Sequence, residues 1–310
     1  MENSIYGSIG NIDGQLNIWL DEYSEKTLIG NVHSVFDKVI NIISINQDYL
    51  FSLALEEVVQ SPQMMKTIDK DCFQNVKDVI QTGTPVFRNG VNEIKIQNII
   101  WNFGNAKIWN GNITEEYIKQ NRLNICHLKE ISDFVQMNGA DSGLLSAWCE
   151  YSHKELLVKK NVNIYAPIFL DRLKKMEDAV RENNNIKLLD ASYEFVGMGM
   201  GLTPSGDDFI LGCLAVWKYW GSRLYDIYVD NEWIERLKGR TTTVSYFMLK
   251  NCIDGFVNES LLKLLQYKSE NTEKNHINSL LQDLLKIGST SGTDMLVGVI
   301  FAYELAFYQK

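Results

Sequence analysis

The sequence has few of the features that mark secreted or metal-stabilised proteins. Its five cysteines, Cys72, Cys126, Cys149, Cys213 and Cys252, are widely spaced and never form C-x-x-C. An odd number of cysteines without that spacing argues against both a disulfide framework and a structural zinc site. The cysteines are therefore expected to be reduced and mostly packed.

Long apolar runs and a secretory leader are also missing. The longest uninterrupted run of apolar residues and glycine covers residues 209–217, too short to span a bilayer. The first twenty residues contain neither the basic segment nor the apolar segment of a signal peptide. A cytoplasmic location without membrane attachment is therefore expected.

Positive charge is in deficit and is not concentrated in any segment. The 310 residues include 30 Lys and Arg against 39 Asp and Glu, which gives a formal net charge of −9. A nucleic-acid binder needs a basic patch to neutralise phosphates, so no nucleic-acid partner is expected. Small molecules or other proteins are the expected partners.

Familiar catalytic templates are absent. The four histidines, His33, His127, His153 and His276, are scattered along the chain, which contains neither H-E-x-x-H nor G-x-S-x-G. Without those spacings the sequence predicts neither a metal site built on histidine nor a nucleophile elbow. No residue is assigned as catalytic from the sequence.

The spacing of apolar residues along the sequence changes near residue 115. Before it, alternating or β-branched runs lie between turn signals such as Asp13-Gly14 and Asn89-Gly90, the pattern of short strands. Strands are predicted over 15–20, 39–45, 49–55, 93–101 and 106–109. Residues 35–43 fit a short helix equally well, because Val35, Val39 and Ile42 are compatible with a helical period.

From residue 114 onward the apolar residues recur at helical spacing. Helices are predicted over 114–137, 142–159, 166–183, 206–220, 231–252, 259–267, 277–287 and 293–308. Pro167 and Pro204 lie near predicted helix starts, where a missing N–H costs least. The predicted fold class is α+β, with a β-rich domain at 1–113 followed by a mainly α-helical domain at 114–310.

Two segments of the second half are near copies of each other. Ser205-Gly206-Asp207-Asp208 and Ser291-Gly292-Thr293-Asp294 each open an almost wholly apolar helix. A Ser followed three residues later by an acid has the spacing of a capping box. Helix starts of this kind are also candidate anion sites, because free N–H groups and the positive dipole end coincide there. Gly212 and Gly298 would let the two helices pack closely and bring both N-termini together.

The segment before the first copy, residues 197–204, contains more glycine than a helix cap needs. Gly197, Gly199 and Gly201 predict unusual backbone angles or the close approach of a ligand, with packing and capping alone as the alternative. The glycine spacing does not match a dinucleotide fingerprint, and residues 193–196 form a short strand at best. Asp207 is not needed for the cap and could orient a substrate amine or hold a hydrated Mg²⁺, the one cofactor considered.

A segment rich in hydroxyl groups follows at residues 240–245. In a helix, Thr242 and Ser245 lie on one face with Arg240 at its start, an edge that suits a carboxylate or phosphate. A simple N-cap with a solvated arginine explains the same residues. Ser142-Gly143 after Asp141 is interpreted as a further helix cap. The candidate ligand-binding residues are Gly199, Gly201, Thr203, Ser205, Gly206, Asp207, Asp208, Arg240, Thr242, Ser245, Ser291, Gly292 and Asp294.

Residues 199–212 resemble the signature of a known bacterial family. The signature is G-x-G-L-T-P-S-G-D-D-F-L-x-G, and the named member of the family is the AllH subunit of oxamate carbamoyltransferase. Thr242-x-x-Ser245 and residues 291–298 resemble later motifs of that family, and residues 32–36 resemble an early one. The resemblance spans most of the chain.

This resemblance implies a role in the anaerobic breakdown of allantoin. There AllF, AllG and AllH subunits together transfer a carbamoyl group from oxamate to phosphate, which gives carbamoyl phosphate and free oxamate. It implies carbamoyl phosphate, phosphate or oxamate as ligand, and AllF-like and AllG-like subunits as partners. The chain lacks the S-T-R-T motif of better-known transcarbamoylases, so such chemistry would use a different site.

Three functions are left open by the residues. The leading one is a subunit of a carbamoyltransferase complex that binds its ligand between the two Ser-Gly helix starts, where Asp207 or Asp208 would orient an amide nitrogen. The second is a non-catalytic ligand-binding or scaffolding subunit, favoured by the absence of a recognisable base or nucleophile. The third is a stand-alone enzyme acting on another small amide or phosphorylated metabolite.

Overall fold

A computed structural model describes residues 5–113, 125–153, 164–230, 232–267 and 274–306. The chain divides into two compact units, residues 1–111 and 112–310. The first unit is a β-barrel with two helices and the second is helical. The α+β class predicted from the sequence is therefore confirmed.

The first unit contains nine strands and two helices among its described residues. They are β1 (Ile5–Asp13), α1 (Gly14–Asp21), β2 (Thr27–Val35), β3 (Val39–Ser44), β4 (Leu50–Leu55), β5 (Met64–Thr67), α2 (Lys70–Val79), β6 (Pro85–Gly90), β7 (Glu93–Ile96), β8 (Ile99–Asn102) and β9 (Lys107–Trp109). The strand order is β5-β4-β3-β2-β6-β7-β8-β1-β9, and β1 also pairs with β5. That extra pairing closes the sheet into a barrel, which removes the free edges of its eight closing strands.

The barrel interior is filled by side chains from alternate strand positions. Between β3 and β4, Ile40 lies opposite Leu53 and Ile42 opposite Phe51, and all four are fully buried. Alternation of this kind places every second side chain inside the barrel. The β-branched runs of the sequence thus become one face of a closed sheet.

Two local predictions for this unit are wrong, and one alternative that the sequence left open is excluded. Residues 15–20 belong to α1, because Asp13 Oδ1 accepts the Leu16 N–H at 3.1 Å and caps a helix where a turn was expected. Residues 93–101 form two strands, separated at Gln97 by a positive φ of 56°. The helix considered for residues 35–43 does not form, since Val35 ends β2 and Val39 begins β3.

The second unit consists of helices. The described ones are α3 (Ile125–Asn138), α4 (Leu145–Tyr151), α5 (Ala166–Arg181), α6 (Asn185–Phe195), α7 (Ser205–Tyr219), α8 (Arg223–Asp230), a 3-10 helix (Trp233–Leu237), α9 (Thr243–Ile253), α10 (Glu259–Leu265), α11 (Lys274–Leu285) and α12 (Ser291–Ala306). None of the described helices is both long and apolar enough to cross a membrane.

Most helices of the sequence prediction are present, two segments differ, and α6 and α8 were not predicted as helices. The predicted helix over 231–252 is a 3-10 helix and a separate α9, with Gly239 at φ 75° between them. Residues 193–195, considered at best a strand, belong to α6. Parts of the predicted helices, at 114–124, 154–159, 231 and 307–308, lie outside the described residues.

The four cysteines with described side chains are free thiols. Cys149, Cys213 and Cys252 are buried and Cys72 is partly buried. The burial expected for most cysteines is therefore observed for these, while the side chain of Cys126 is outside the described set.

Helices α7 and α12 form the centre of the second unit. Every residue of α7 except Lys218 is buried, as is every residue of α12 except Glu304 and Ala306. A Cβ on Gly212 would lie 2.2 Å from the Met295 carbonyl oxygen, so only glycine permits this backbone contact. The predicted close packing of the two helices is confirmed, and it brings their N-termini together.

Candidate functional site

The start of α7 is held by the loop before it. Pro204 occupies the N-cap position without a side-chain cap, and Ser205 is already helical, so the predicted capping box is wrong for this copy. The N–H of Gly206 donates to the Met198 carbonyl at 2.9 Å, and the next two amides donate to the Pro204 carbonyl at 2.9 and 3.2 Å. Three of the first N–H groups are therefore occupied by the protein itself.

The glycine of each Ser-Gly pair has a packing reason. A Cβ on Gly206 would lie 2.0 Å from the Phe195 carbonyl oxygen, and one on Gly292 would lie 1.8 Å from that of Leu284. The Gly292 N–H also donates to the Ile287 carbonyl at 3.0 Å. The backbone of a preceding segment thus lies close to both helix starts, and the Gly206 and Gly292 N–H groups already donate within the protein, which leaves fewer backbone donors for an anion than the sequence suggested.

The glycine-rich loop, residues 197–204, has the unusual backbone that its sequence predicts. Gly197, Gly199 and Gly201 have φ values of 79°, 119° and 96°, all in the region that favours glycine. A Cβ on Gly197 would meet the Arg240 carbonyl oxygen at 2.4 Å, whereas one on Gly201 would meet no atom within 4 Å. The loop is therefore packed where it begins and open at Gly201.

Asp207 joins the glycine-rich loop to the start of α9. Its Oδ1 accepts the Gly197 N–H at 2.7 Å, and its Oδ2 accepts hydroxyl groups from Ser245, at 2.6 Å, and from Thr241. Burial raises the pKa of Asp207, and these hydrogen bonds oppose the rise. Both oxygens of the residue that could have held Mg²⁺ or an amine are thus taken by protein donors.

The start of α9 is capped by a side chain. Thr242 occupies the N-cap position, where Oγ1 accepts the Ser245 N–H at 3.1 Å and the hydroxyl donates to the Leu202 carbonyl. The guanidinium of Arg240 is exposed and lies 5.1 Å from the centre of the Tyr193 ring. The alternative of an N-cap beside a solvated arginine therefore describes this segment.

Asp294 accepts a hydrogen bond from a segment that is distant in sequence. It is fully buried, and its Oδ1 accepts the Leu144 N–H at 2.6 Å, directly before α4. A Cβ on Gly143 would lie 2.2 Å from the same oxygen, so glycine there admits the carboxylate. Burial raises the pKa of Asp294 to about 7, while the Leu144 bond and the Ser205 hydroxyl lower it.

This role of Asp294 was not predicted from the sequence. Ser142-Gly143 was interpreted as a helix cap of its own, but α4 has no side-chain cap hydrogen bond at its N-cap, Leu144. Thr293 supports the same contact, since its Oγ1 accepts the Ala140 N–H at 3.0 Å. The repeated Ser-Gly at position 142 was the one available signal, and it did not identify the partner.

Asp208 is the one acid of the group whose oxygens have no partner. The residue is 1% exposed, and among the described residues neither carboxyl oxygen makes a hydrogen bond. Burial raises its pKa well above the usual value, and the charge of Asp294 adds to the rise. The hydroxyls of Ser291 and Thr203, which hydrogen-bond to each other at 2.9 Å, lie beside the carboxyl group and oppose the rise.

The structure therefore brings most of the predicted site residues into two adjoining groups. One group, at the paired starts of α7 and α12, contains Thr203, Ser205, Asp208, Ser291 and Asp294. The other surrounds Asp207 and includes the loop and the start of α9, whereas Arg240 points to solvent. Within the described parts of the chain, no three His, Cys, Asp or Glu side chains are placed to hold a metal ion.

Two family models match the sequence. The model of the AllH family N-terminal domain matches residues 11–108, and the model described as oxamate carbamoyltransferase subunit AllH matches residues 195–303. Together they cover most of the chain, and the second includes the glycine-rich loop, both helix starts and the start of α9. No curated protein and no solved structure matches the chain.

Proposed function

Because the chain belongs to the AllH family of oxamate carbamoyltransferase subunits, we propose that it binds a carbamoyl-bearing or phosphate-bearing small molecule at the paired starts of α7 and α12. Membership of this family implies further subunits. In the proposed function these are AllF-like and AllG-like proteins, and the complex acts in the cytoplasm in the anaerobic breakdown of allantoin.

The observation that carries the proposal is the buried polar group at the paired helix starts. Two apolar helices pack closely, yet they place Asp208, with both oxygens unbonded, beside the hydroxyls of Thr203 and Ser291. An unsatisfied buried polar group costs about 1–3 kcal/mol, and an apolar residue would serve packing better. A buried group kept at such a cost is a candidate for a role in function.

The paired helix starts can polarise and position a carbamoyl or phosphoryl group of the ligand. The positive ends of α7 and α12 favour negative charge that develops on a carbamoyl or phosphoryl oxygen. Thr203 and Ser291 offer hydroxyl donors at the same place. In transfer of a carbamoyl group to phosphate the attacking atom is a phosphate oxygen, so the protein needs no covalent nucleophile of its own.

A second function is a non-catalytic ligand-binding or scaffolding subunit. It is favoured by the amides of Gly206, Asp207 and Asp208, which already bond within the protein, and by the full set of partners around Asp207. A subunit of this kind leaves the reaction to its partners. A stand-alone enzyme acting on another small amide or phosphorylated metabolite remains the third proposal.

Binding to the full chain tests the proposal. We expect carbamoyl phosphate or oxamate to raise the melting temperature, since a ligand at one hundred times its Kd adds about 2.7 kcal/mol. Thr203→Val should weaken this response because it removes a hydroxyl from the helix starts, while Thr243→Val, at the start of α9, should leave it unchanged. No response to either ligand or to phosphate would count against binding by the isolated chain.

Activity of the reconstituted complex separates the three functions. We expect carbamoyl transfer only when AllF-like and AllG-like subunits are added, and loss of that activity with Thr203→Val. Activity that survives the loss of ligand binding by this chain would support the scaffolding alternative. Turnover by the chain alone would support the stand-alone enzyme.

A further inference from the structure

We infer that Asp208 binds the primary amide of the ligand, so that the paired helix starts select a carbamoyl NH₂ over a carboxylate or phosphate oxygen. This inference rests on the proposed function and names the ligand group that this site takes. It also distinguishes Asp208 from its neighbour Asp207, which the sequence treats as an equal candidate.

The three buried acids of this region differ in their partners. Asp207 accepts hydrogen bonds from Gly197, Ser245 and Thr241, and Asp294 accepts one from the amide of Leu144. Asp208 accepts none from the described residues, although it is as deeply buried as the other two. Two of the acids thus hold chain segments together, although Asp294 Oδ2 is itself without a partner, and only Asp208 has both oxygens unpaired among the described residues.

A primary amide matches that unused capacity. When protonated, a carboxyl group presents one O–H donor and one carbonyl acceptor side by side. A primary amide presents the complementary pair, a carbonyl acceptor and an N–H donor, so the two groups can form two parallel hydrogen bonds. The resulting pair is neutral, so burying it in the protein interior costs less than burying a charged pair.

An anionic group does not match the same position. Asp207 and Asp294 lie near enough to Asp208 to raise its pKa by their charge. A carboxylate or phosphate oxygen beside the protonated Asp208 would therefore face the charges of Asp207 and Asp294, while Arg240, whose charge lowers the pKa of Asp207, is exposed and lies over Tyr193. Repulsion between like charges at a few ångströms in a buried site disfavours that arrangement.

Two hydroxyl groups lie beside Asp208. Thr203 belongs to the glycine-rich loop and Ser291 to the first turn of α12, and their 2.9 Å hydrogen bond joins these two segments. Thr203 is only partly buried. Opening this bond would free two hydroxyl groups for the ligand, in a loop whose glycines have positive φ values.

The test compares two ligands that differ in one group. Oxamate carries an amide where oxalate carries a second carboxylate, so we expect oxamate, and not oxalate, to bind the full chain in calorimetry. Asp208→Leu should weaken oxamate binding by at least about tenfold without lowering the melting temperature, since it removes an unbonded carboxyl group. Asp208→Asn keeps an acceptor and a donor and should retain most of the binding.

Asp207→Asn is the matched control. It should lower the melting temperature, because Asp207 holds three donors, but should keep the preference for oxamate over oxalate. Equal binding of oxalate, or unchanged oxamate binding by Asp208→Leu, would overturn the inference and leave the proposed function standing. Wild-type protein that binds neither oxamate nor carbamoyl phosphate would overturn both.

Discussion

At the residue scale, two neighbouring acids on one helix have opposite surroundings. Successive side chains on an α-helix point about 100° apart, so Asp207 and Asp208 cannot face the same partners. Asp207 meets the loop and the start of α9, whereas Asp208 meets Ser291 and Asp294 of α12. Identical residue types in the S-G-D-D motif therefore have different physical roles.

Asp294 should make the stability of the protein depend on pH. Burial raises its pKa to about 7 in the folded protein, against about 3.9 in an unfolded chain. Between about pH 4 and pH 7 the folded state binds the proton that the unfolded state has lost, so the free energy of unfolding falls as pH rises. About three pKa units correspond to roughly 4 kcal/mol.

Asp294→Asn should therefore make the free energy of unfolding fall less steeply as pH rises. Asparagine keeps an acceptor for the Leu144 N–H but has no titrating group. Urea unfolding at pH 5 and pH 7.5 measures the effect. The control is Asp283→Asn, which removes an exposed partner of Lys286 and should leave the slope unchanged. Equal slopes for wild type and Asp294→Asn would show that Asp294 does not titrate in this range.

At the element scale, the contact between α7 and α12 depends on glycine. Gly298 lies against the backbone of α7, where a Cβ would be 2.1 Å from the Phe209 carbonyl oxygen and 3.2 Å from the Cys213 nitrogen. Backbone atoms in two packed helices cannot move aside separately. The spacing of the helices is therefore set by these residues, as is the distance between their N-termini.

Gly298→Ala should destabilise the protein by about 3 kcal/mol, because overpacking against backbone outweighs the gain of about 1 kcal/mol in helix propensity. Chemical unfolding measures the change. Gly201→Ala is the comparison, since a Cβ there meets no atom within 4 Å and only the positive φ opposes it, at about 1 kcal/mol. A cost for Gly298→Ala no larger than that for Gly201→Ala would refute the packing argument.

Two of the errors in element prediction arise from helix capping. A Ser three residues before an acid fits a helix start with Ser either at the N-cap or one position later, and the spacing does not distinguish these registers. Here the Met198 carbonyl receives the Gly206 N–H, which puts Ser205 inside the helix. The strand predicted over residues 15–20 failed similarly, because the cap by Asp13 outweighed a short alternating pattern.

At the scale of the whole molecule, the first unit has the elements of an independent domain. Its barrel closes through the pairing of β1 with both β5 and β8, and its core includes Leu16, Phe51, Leu53 and Trp101, all fully buried. A closed sheet with its own core does not need a neighbouring unit to cover its edges. The boundary predicted after residue 113 stays a prediction.

Residues 1–111 should therefore fold when expressed alone. We expect one cooperative transition in guanidinium chloride and a structured near-ultraviolet circular dichroism spectrum from the packed aromatic side chains. Leu53→Asp provides the unfolded reference, because it buries a charge inside the barrel. A broad transition, or a spectrum equal to that of Leu53→Asp, would mean that the first unit depends on the rest of the chain.

Local pattern was sufficient for the class of fold, for most helices, for the resemblance to the AllH family and for the pairing of the two helix starts. Periodicity and motif spacing carry this information because they act within a few residues. The partners of the acids depend on tertiary structure. Asp207 meets Ser245 and Asp294 meets Leu144 across 38 and 150 residues, and among the described residues neither carboxyl oxygen of Asp208 makes a hydrogen bond of ordinary geometry. Such differences arise because a hydrogen bond requires a distance near 3 Å, which only the packing of distant segments can set.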